Sequence, residues 1–479
     1  MDPILAWNGV ALEANRVSHT NGQNEQTGPT RSSRALAIVH LAMYDAYAGF
    51  VNDANRLPPY IGGIHFPAGA SVNAAVAAAA HRTLSELFPS QKPFFDLVLA
   101  GAGDKSDDGH DFGVDVAEQI LADREDDPDA GAGGYAPSPQ RGKHRPDPDN
   151  PDQGFHAPFY GAKSKLFAVT KRYELKPPPL PGDANYTTAL QQVRRRGIAP
   201  ELMGTLPPNT PHRTEAQTLI GVYWGYDGAS GLGTPPRLYN QILREVAVKK
   251  PNPDTGNPNN AEQNARLFAL VNVAMGDAGI LSWDQKYIHD LWRPVLGIRE
   301  HDESMGPEGV SSDVHDPECQ VDWLPLGAPL TNKAGKNFTP PFPAYPSGHA
   351  TFGAAAFHIA RLFYGVALGD TGPDDLFDGL AFVSDEHDGV NEDNKGAVRP
   401  RHVRGFPGGL QQMIVQNGRS RVWLGVHWMF DAFAVDNNGD PDFAQNVGGV
   451  PLGIKIAEDI FDKGTNKKTV NKSNVPPRP

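Results

Sequence analysis

Three short segments hold the residues best suited to chemistry. The first is Pro343-Ala344-Tyr345-Pro346-Ser347-Gly348-His349-Ala350-Thr351-Phe352. Its two prolines keep the chain extended and donate no backbone N–H. Ser-Gly-His then opens an apolar run with helical spacing, Phe352, Ala356, Ile359, Ala360 and Phe363. Ser347 suits an N-cap. A helix start offers free N–H groups and the positive end of the dipole, a seat for an oxyanion. Gly348 lets an anion approach the backbone, and His349 can move a proton near neutral pH. Alone, this is a helix start with a histidine in it.

The second segment is Trp283-Asp284-Gln285-Lys286-Tyr287-Ile288-His289-Asp290-Leu291-Trp292-Arg293-Pro294. Read as helix, it places Lys286 and Arg293 two turns apart on one face, with Trp283 a turn earlier. Two cations on one face repel and become useful when they meet an anion; the plainer reading is a solvated face. The third segment is Ser420-Arg421-Val422-Trp423-Leu424-Gly425-Val426-His427-Trp428-Met429-Phe430-Asp431. It adds a third cation, Arg421. His427 lies among apolar residues and reads by itself as a core histidine. Asp431, four residues on, is placed to orient its ring, and Gly425 permits close packing.

Together the segments read Lys-x6-Arg-Pro, Pro-Ser-Gly-His and Ser-Arg-x3-Gly-x-His-x3-Asp. This ordered set resembles the signature shared by vanadium-dependent haloperoxidases and type 2 phosphatidic acid phosphatases, and three coincidences in order weaken the plain readings. Both families bind a tetrahedral oxyanion. The resemblance implies that Lys286, Arg293 and Arg421 balance its charge, with Ser347 and the Gly348 N–H adding hydrogen bonds. It implies His427 as the metal ligand through Nε2, or as the nucleophile in a phosphatase, and His349 as the acid–base group.

The flanks favour the peroxidase. Residues 340–353 are similar to the vanadium chloroperoxidases of fungi and bacteria, as is a tryptophan three residues before the lysine. In that family the positions of Trp283 and Phe342 line the halide side, and the bromoperoxidase branch typically has His where Phe342 stands. Tyr223-Trp224-Gly225-Tyr226-Asp227-Gly228 suggests by the same resemblance an Asp227–Arg421 pair, against the alternative of a helix-ending Asp-Gly turn. The implied cofactor is vanadate, for which phosphate can substitute in the apo site. The implied reaction oxidises halide with hydrogen peroxide to hypohalous acid, which passes to small organic acceptors. His349 would take the peroxide proton and Lys286 would draw electron density from the peroxide. Vanadium(V) acts as a Lewis acid with no redox cofactor. A soluble acid phosphatase using His427, and an oxyanion-binding protein without turnover, stay open as alternatives.

In the segments that must position these residues, helical periodicity dominates and period-2 strand signals are nearly absent. The fold class expected is all-α: two helical bundles joined by long irregular loops, with the site in the C-terminal one. Residues 1–30 read as polar and partly irregular. Helical windows follow at 32–47, 72–88, 91–103 and 110–125. Pro/Gly-rich sequence from 126 to 212 reads as a wrapping loop. Further helices are expected at 214–226, 236–249, 261–278, 281–299, 348–365, 373–383, 407–435 with a break, and 446–463. The expected division is 1–209, 210–465 and a disordered tail at 466–479. The family motifs lie within 210–465, while the N-terminal third reads as generic helix. Residues 384–394, acidic and without EF-hand spacing, read as a solvated loop. The net charge of −13 argues against nucleic-acid partners. The single cysteine, Cys319, excludes a disulfide framework. No signal peptide is evident and no membrane span is expected, so the chain reads as soluble. Location and oligomeric state stay open.

Overall fold

A computed structural model describes residues 2–102, 105–311, 315–463 and 470–479. The N-terminal bundle comprises α1 (Pro3–Ser18), α2 (Gly28–Val51), α3 (Val72–Leu87), α4 (Lys92–Ala102) and α5 (Asp108–Asp123). A connection with two helices, α6 (Tyr160–Lys163) and α7 (Ala184–Arg196), follows. The C-terminal bundle comprises α8 (Glu215–Tyr223), α9 (Pro235–Lys249), α10 (Ala261–His289), α11 (Pro294–Arg299), α12 (Gly348–Phe363), α13 (Gly409–Trp423), α14 (Met429–Ala432) and α15 (Gly449–Lys463). Among the described residues the strands are two-residue pairs: 382–383 with 403–404, and 434–435 with 441–442.

α10 organises the molecule. A capping box of Asn260 and Gln263 starts it, and Asp290 in the left-handed conformation ends it. One side packs on α2, the other on α12. Both bundles therefore share it, and its residues from Leu267 to Lys286 are buried. It is long and apolar enough to cross a membrane. Its apolar stretch is nearly all buried in the protein, as in a core helix of a globular chain. α12 runs through the C-terminal core between α10, α13 and α15. α15 approaches α12 closely because Gly453 has no side chain; a Cβ there would lie 2.5 Å from the Thr351 carbonyl oxygen.

Five features differ from the sequence expectation. Within 126–212, expected as a wrapping loop, α7 forms because Tyr186, Ala189, Leu190 and Val193 recur on one buried side. Residues 3–18 are helical, since Asp2 caps the first turn and Ile4, Trp7, Ala11 and Leu12 recur on one buried side. The windows at 261–278 and 281–299 are instead one long helix and one short one. Residues 373–383 are turns ending in a short strand, where Asp374 accepts from the Leu376 and Leu410 amides and pairs with Arg361. The stretch expected as a disordered tail lies partly outside the described residues. Its last ten are irregular yet docked: Val470 is buried, the Ser473 N–H donates to the Phe167 carbonyl, and Arg478 pairs with Asp284 at 2.8 Å.

Candidate active site

The three segments meet at the N-terminal end of α12. Ser347 caps that helix, its Oγ accepting from the Ala350 N–H at 3.4 Å, while its own N–H donates to the Asp431 carbonyl at 2.8 Å. Gly348 follows with Trp283 against it. Lys286 projects from the last turn of α10. Arg293 is not on the same helix: α10 stops at His289, the chain turns through Asp290, and Pro294 starts α11 with Arg293 as its N-cap residue. The turn, rather than a common helical face, brings Arg293 to Lys286. Arg421 comes from the last turn of α13, and His427 from the bend between α13 and α14. All of these side chains are buried.

Each charged group has a defined set of partners. Arg421 makes a two-pronged pair with Asp227, Nη2–Oδ1 2.7 Å and Nη1–Oδ2 3.1 Å. Arg293 donates through Nε to the Phe342 carbonyl at 2.8 Å and through Nη1 to the Val426 carbonyl at 2.8 Å. The same Nη1 stands 2.9 Å from His427 Nε2. His427 Nδ1 is 2.7 Å from Asp431 Oδ2. These contacts fix the tautomer: Nδ1–H donates to the carboxylate and the Nε2 lone pair accepts from Arg293. Burial, reinforced by Arg293 and Lys286, holds His427 well below the usual imidazole range, so the ring is neutral. Burial raises the Asp431 carboxyl to about 7, against the pull of Lys286 and Arg293.

Lys286 has a structural role that the sequence does not suggest. Its Nζ donates to the carbonyls of Pro343 at 2.9 Å, Ala344 at 3.2 Å and Pro346, and lies over the rings of Phe342 and Trp283. The lysine thus holds the extended Pro343–Pro346 approach to Ser347. Burial and then Arg293 push its pKa well below that of a free lysine. His349 Nε2 lies 2.7 Å from the Gly225 carbonyl and 3.8 Å from Asp227 Oδ1. Nε2–H is therefore the donor, and Nδ1 carries the free lone pair. Burial and the Arg421 charge lower its pKa to about 4, so the ring is a neutral base above that pH.

A cavity of about 150 Å³ is lined by Gly348, His349, Arg421, His427 and Asp227 on its polar side and by Trp283, Phe342, Phe352 and Pro341 on its apolar side. Every residue singled out in the three segments lies in or beside this one cluster. Two further residues carry no signal in the sequence. His156, from the long connection, lines the cavity beside Trp283 and Phe342. Glu386, in the acidic stretch read as solvated, is fully buried and accepts from the Tyr226 N–H, Thr331 and Arg399. It supports the turn that carries Gly225 and Asp227. Asp-Glu-His-Asp looks hydrophilic in sequence, and only the tertiary contact with Arg399 shows the difference.

A vanadate-sized oxyanion suits this donor set. Arg293 Nη2 and Arg421 Nε are buried without a hydrogen-bond partner, two charged donors in a cluster where Lys286 is the third group of like sign. An unsatisfied buried donor is costly, and an anion would satisfy both. An all-helical pair of bundles that gathers such cations and two neutral histidines at one helix start defines an oxyanion-dependent enzyme of the vanadium haloperoxidase class. Residues 1–100 match the vanadium chloroperoxidase N-terminal domain, and residues 266–448 match the second helical-bundle domain of the same enzymes. The vanadium chloroperoxidase of Curvularia inaequalis is 38% identical, over 96% of this chain and 90% of that protein. The chain belongs to the vanadium chloroperoxidase family. The match to its N-terminal domain extends the likeness to the first hundred residues, which read as generic helix from sequence. Two solved structures share the fold. A bacterial vanadium-dependent iodoperoxidase has a TM-score of 0.63 and 19% identity, covering 96% of each chain. The holo form of a bacterial vanadium-dependent chloroperoxidase has a TM-score of 0.60 and 16% identity, covering 92% of this chain and 93% of that one.

Proposed function

We propose that the chain oxidises halide with hydrogen peroxide to hypohalous acid, X⁻ + H₂O₂ + H⁺ → HOX + H₂O, with vanadate held by His427, Arg293, Arg421, Lys286, Ser347 and the Gly348 N–H. The observation that carries this reading is the neutral His427, whose Nε2 lone pair faces the cavity edge while unpartnered arginine donors flank it. Vanadate held there would supply Lewis-acid chemistry with no change of oxidation state. The protein does the rest. Asp431 fixes His427 in the tautomer whose Nε2 can ligate. Arg293, which holds that lone pair in the structure, gives it up on binding and turns its fork to the anion. His349 Nδ1 accepts the peroxide proton, with Nε2 anchored on Gly225. Trp283 and Phe342, which line the apolar side of the cavity, would keep water from the side where halide arrives. Phe342 in place of a histidine supports turnover of chloride as well as bromide. The released hypohalous acid reaches small organic acceptors. Inorganic phosphate, of the same shape and charge, competes for the cage, and the vanadate-free cage turns over phosphate esters weakly through His427.

One protein sample with and without orthovanadate tests this. Vanadate-dependent halogenation of a dye by peroxide with chloride or bromide is the expected result. Turnover of a phosphate ester with no halide oxidation would overturn it in favour of a phosphatase.

A further inference from the structure

The wall of the cavity that carries Trp283 and Phe342 is apolar apart from one side chain. His156 comes from the irregular connection between the bundles and stands with its ring edge-on to Trp283, centroids 5.9 Å apart, and tilted against Phe342 at 6.1 Å. Its backbone is fastened to the same wall. The N–H donates to the Pro341 carbonyl at 2.9 Å, and the carbonyl accepts from Trp283 Nε1 at 3.2 Å and Tyr287 OH at 2.8 Å. Its ring Nε2 lies 3.0 Å from Thr30 Oγ1 at the start of α2. Gly28, at a positive φ of 78°, makes room for the ring: a Cβ would lie 2.5 Å from His156 Cε1. Four contacts and a cleared slot thus hold an imidazole whose other nitrogen, Nδ1, has no hydrogen-bond partner among the described residues.

The chemistry of such a group is specific. Burial lowers the ring's pKa to about 4, so it is uncharged at working pH. When Thr30 donates its hydroxyl proton to Nε2, the ring carries its own proton on Nδ1 and offers one N–H among aromatic edges and prolines. That environment suits a small, polarisable monoanion: apolar surface to strip its water and one donor to hold it. A neutral donor selects a halide without adding a fourth positive charge to the cage.

We propose that His156 is a halide-selecting residue, its Nδ1–H donating to the halide between Trp283 and Phe342. This rests on the peroxidase reading above and adds a residue from outside the three segments. A hydrogen bond to an ion weakens as the ion grows and its charge spreads, so the contact favours chloride over bromide and bromide over iodide.

The test uses the vanadate-loaded enzyme and its His156→Phe and His156→Asn variants, with KM measured for each halide. His156→Phe is expected to raise the chloride KM about tenfold to a hundredfold, the worth of one hydrogen bond to a charge. The bromide KM should rise less and the iodide KM least, with vanadate affinity by equilibrium dialysis and the peroxide KM unchanged. His156→Asn, whose amide nitrogen stands where Nδ1 does, should restore most of the chloride KM. A folded His156→Phe enzyme with unchanged halide KM values, or with equal rises for all three, would overturn the proposal. A second readout needs no turnover: bromide titration of the indole fluorescence in vanadate-free protein. Saturable quenching lost in His156→Phe upholds the contact even if the wild type oxidises no halide, in which case the peroxidase reading alone fails. Identical quenching in the two proteins counts against the contact.

Discussion

At the scale of the residue, the site divides the work between two histidines by tautomer. His427 has its proton on Nδ1 facing Asp431, and His349 has its proton on Nε2 facing Gly225. His427→Ala should abolish tight vanadate binding in equilibrium dialysis. His349→Ala should keep that binding and lose halogenation. Equal vanadate affinity in wild type and His427→Ala would remove His427 as the ligand. Lys286→Met should lose vanadate affinity for two reasons: one charge of the cage is gone, and the Pro343–Pro346 carbonyls lose their common donor. Three uncapped carbonyls cost about 1–3 kcal/mol each where they are buried, so urea denaturation should show this variant destabilised as well. These side chains are legible in sequence because the chemistry restricts their types. Their pairings are less so. Lys286 and Arg293 look like neighbours on one helix, and only the left-handed Asp290 and the Pro294 restart show that a turn joins them. His156 gives no sequence signal, since a histidine in a Pro/Gly-rich connection has no pattern around it.

At the scale of the element, helix caps and buried acids hold the site's frame. Asp277, in the middle of α10, accepts from the amides of Phe167, Ala168 and Val169 at 2.6 to 2.9 Å, tying the connection to the shared helix. Burial raises its pKa from 3.8 to about 6. Between these values the folded chain keeps a proton that the unfolded chain has released. Its contribution to stability therefore falls as pH rises from about 4 to about 6 and is constant above. The difference amounts to about 3 kcal/mol at one 1.4 kcal/mol per pKa unit. Asp277→Asn should destabilise the chain overall yet remove this slope, as read from urea midpoints at pH 4 and pH 7. Glu386 plays the matching part for the Gly225–Asp227 turn. Glu386→Ala should cost about 1–3 kcal/mol through its stranded partners and lower kcat, with Glu386→Gln recovering most of it. Periodicity makes most helices visible in the sequence, because apolar spacing and caps are local. The helix over 3–18 is missed for its polar surface, and the one expected over 373–383 gives way to the long-range pairing of Asp374 with Arg361.

At the scale of the whole molecule, an acidic chain surrounds a cationic pocket. With a net charge of −13, its field opposes anions in general, and the buried cage has to overcome that field locally. An anion that binds only the folded form should raise the melting temperature, by about 2.7 kcal/mol of stability at a hundred times its Kd. Differential scanning fluorimetry with orthovanadate should show the rise, and sodium chloride at equal ionic strength should not match it. The two-bundle plan is legible in the helical pattern, but the way the bundles are joined is not. Sequence suggests a border near residue 210, whereas α10 serves as core to both sides.

That shared helix decides how the protein comes apart. The buried side chains of both halves form one continuous core through it, and Arg478 latches the chain's last described stretch onto Asp284 of the same helix. Heating should therefore produce one endotherm, with calorimetric and van't Hoff enthalpies in agreement, despite a length at which separate melting is common. Proteolytic halves should stay associated when nicked and fail to refold singly. Evolution can lengthen or trim the loops of this chain freely, but it cannot shuffle one half without the other.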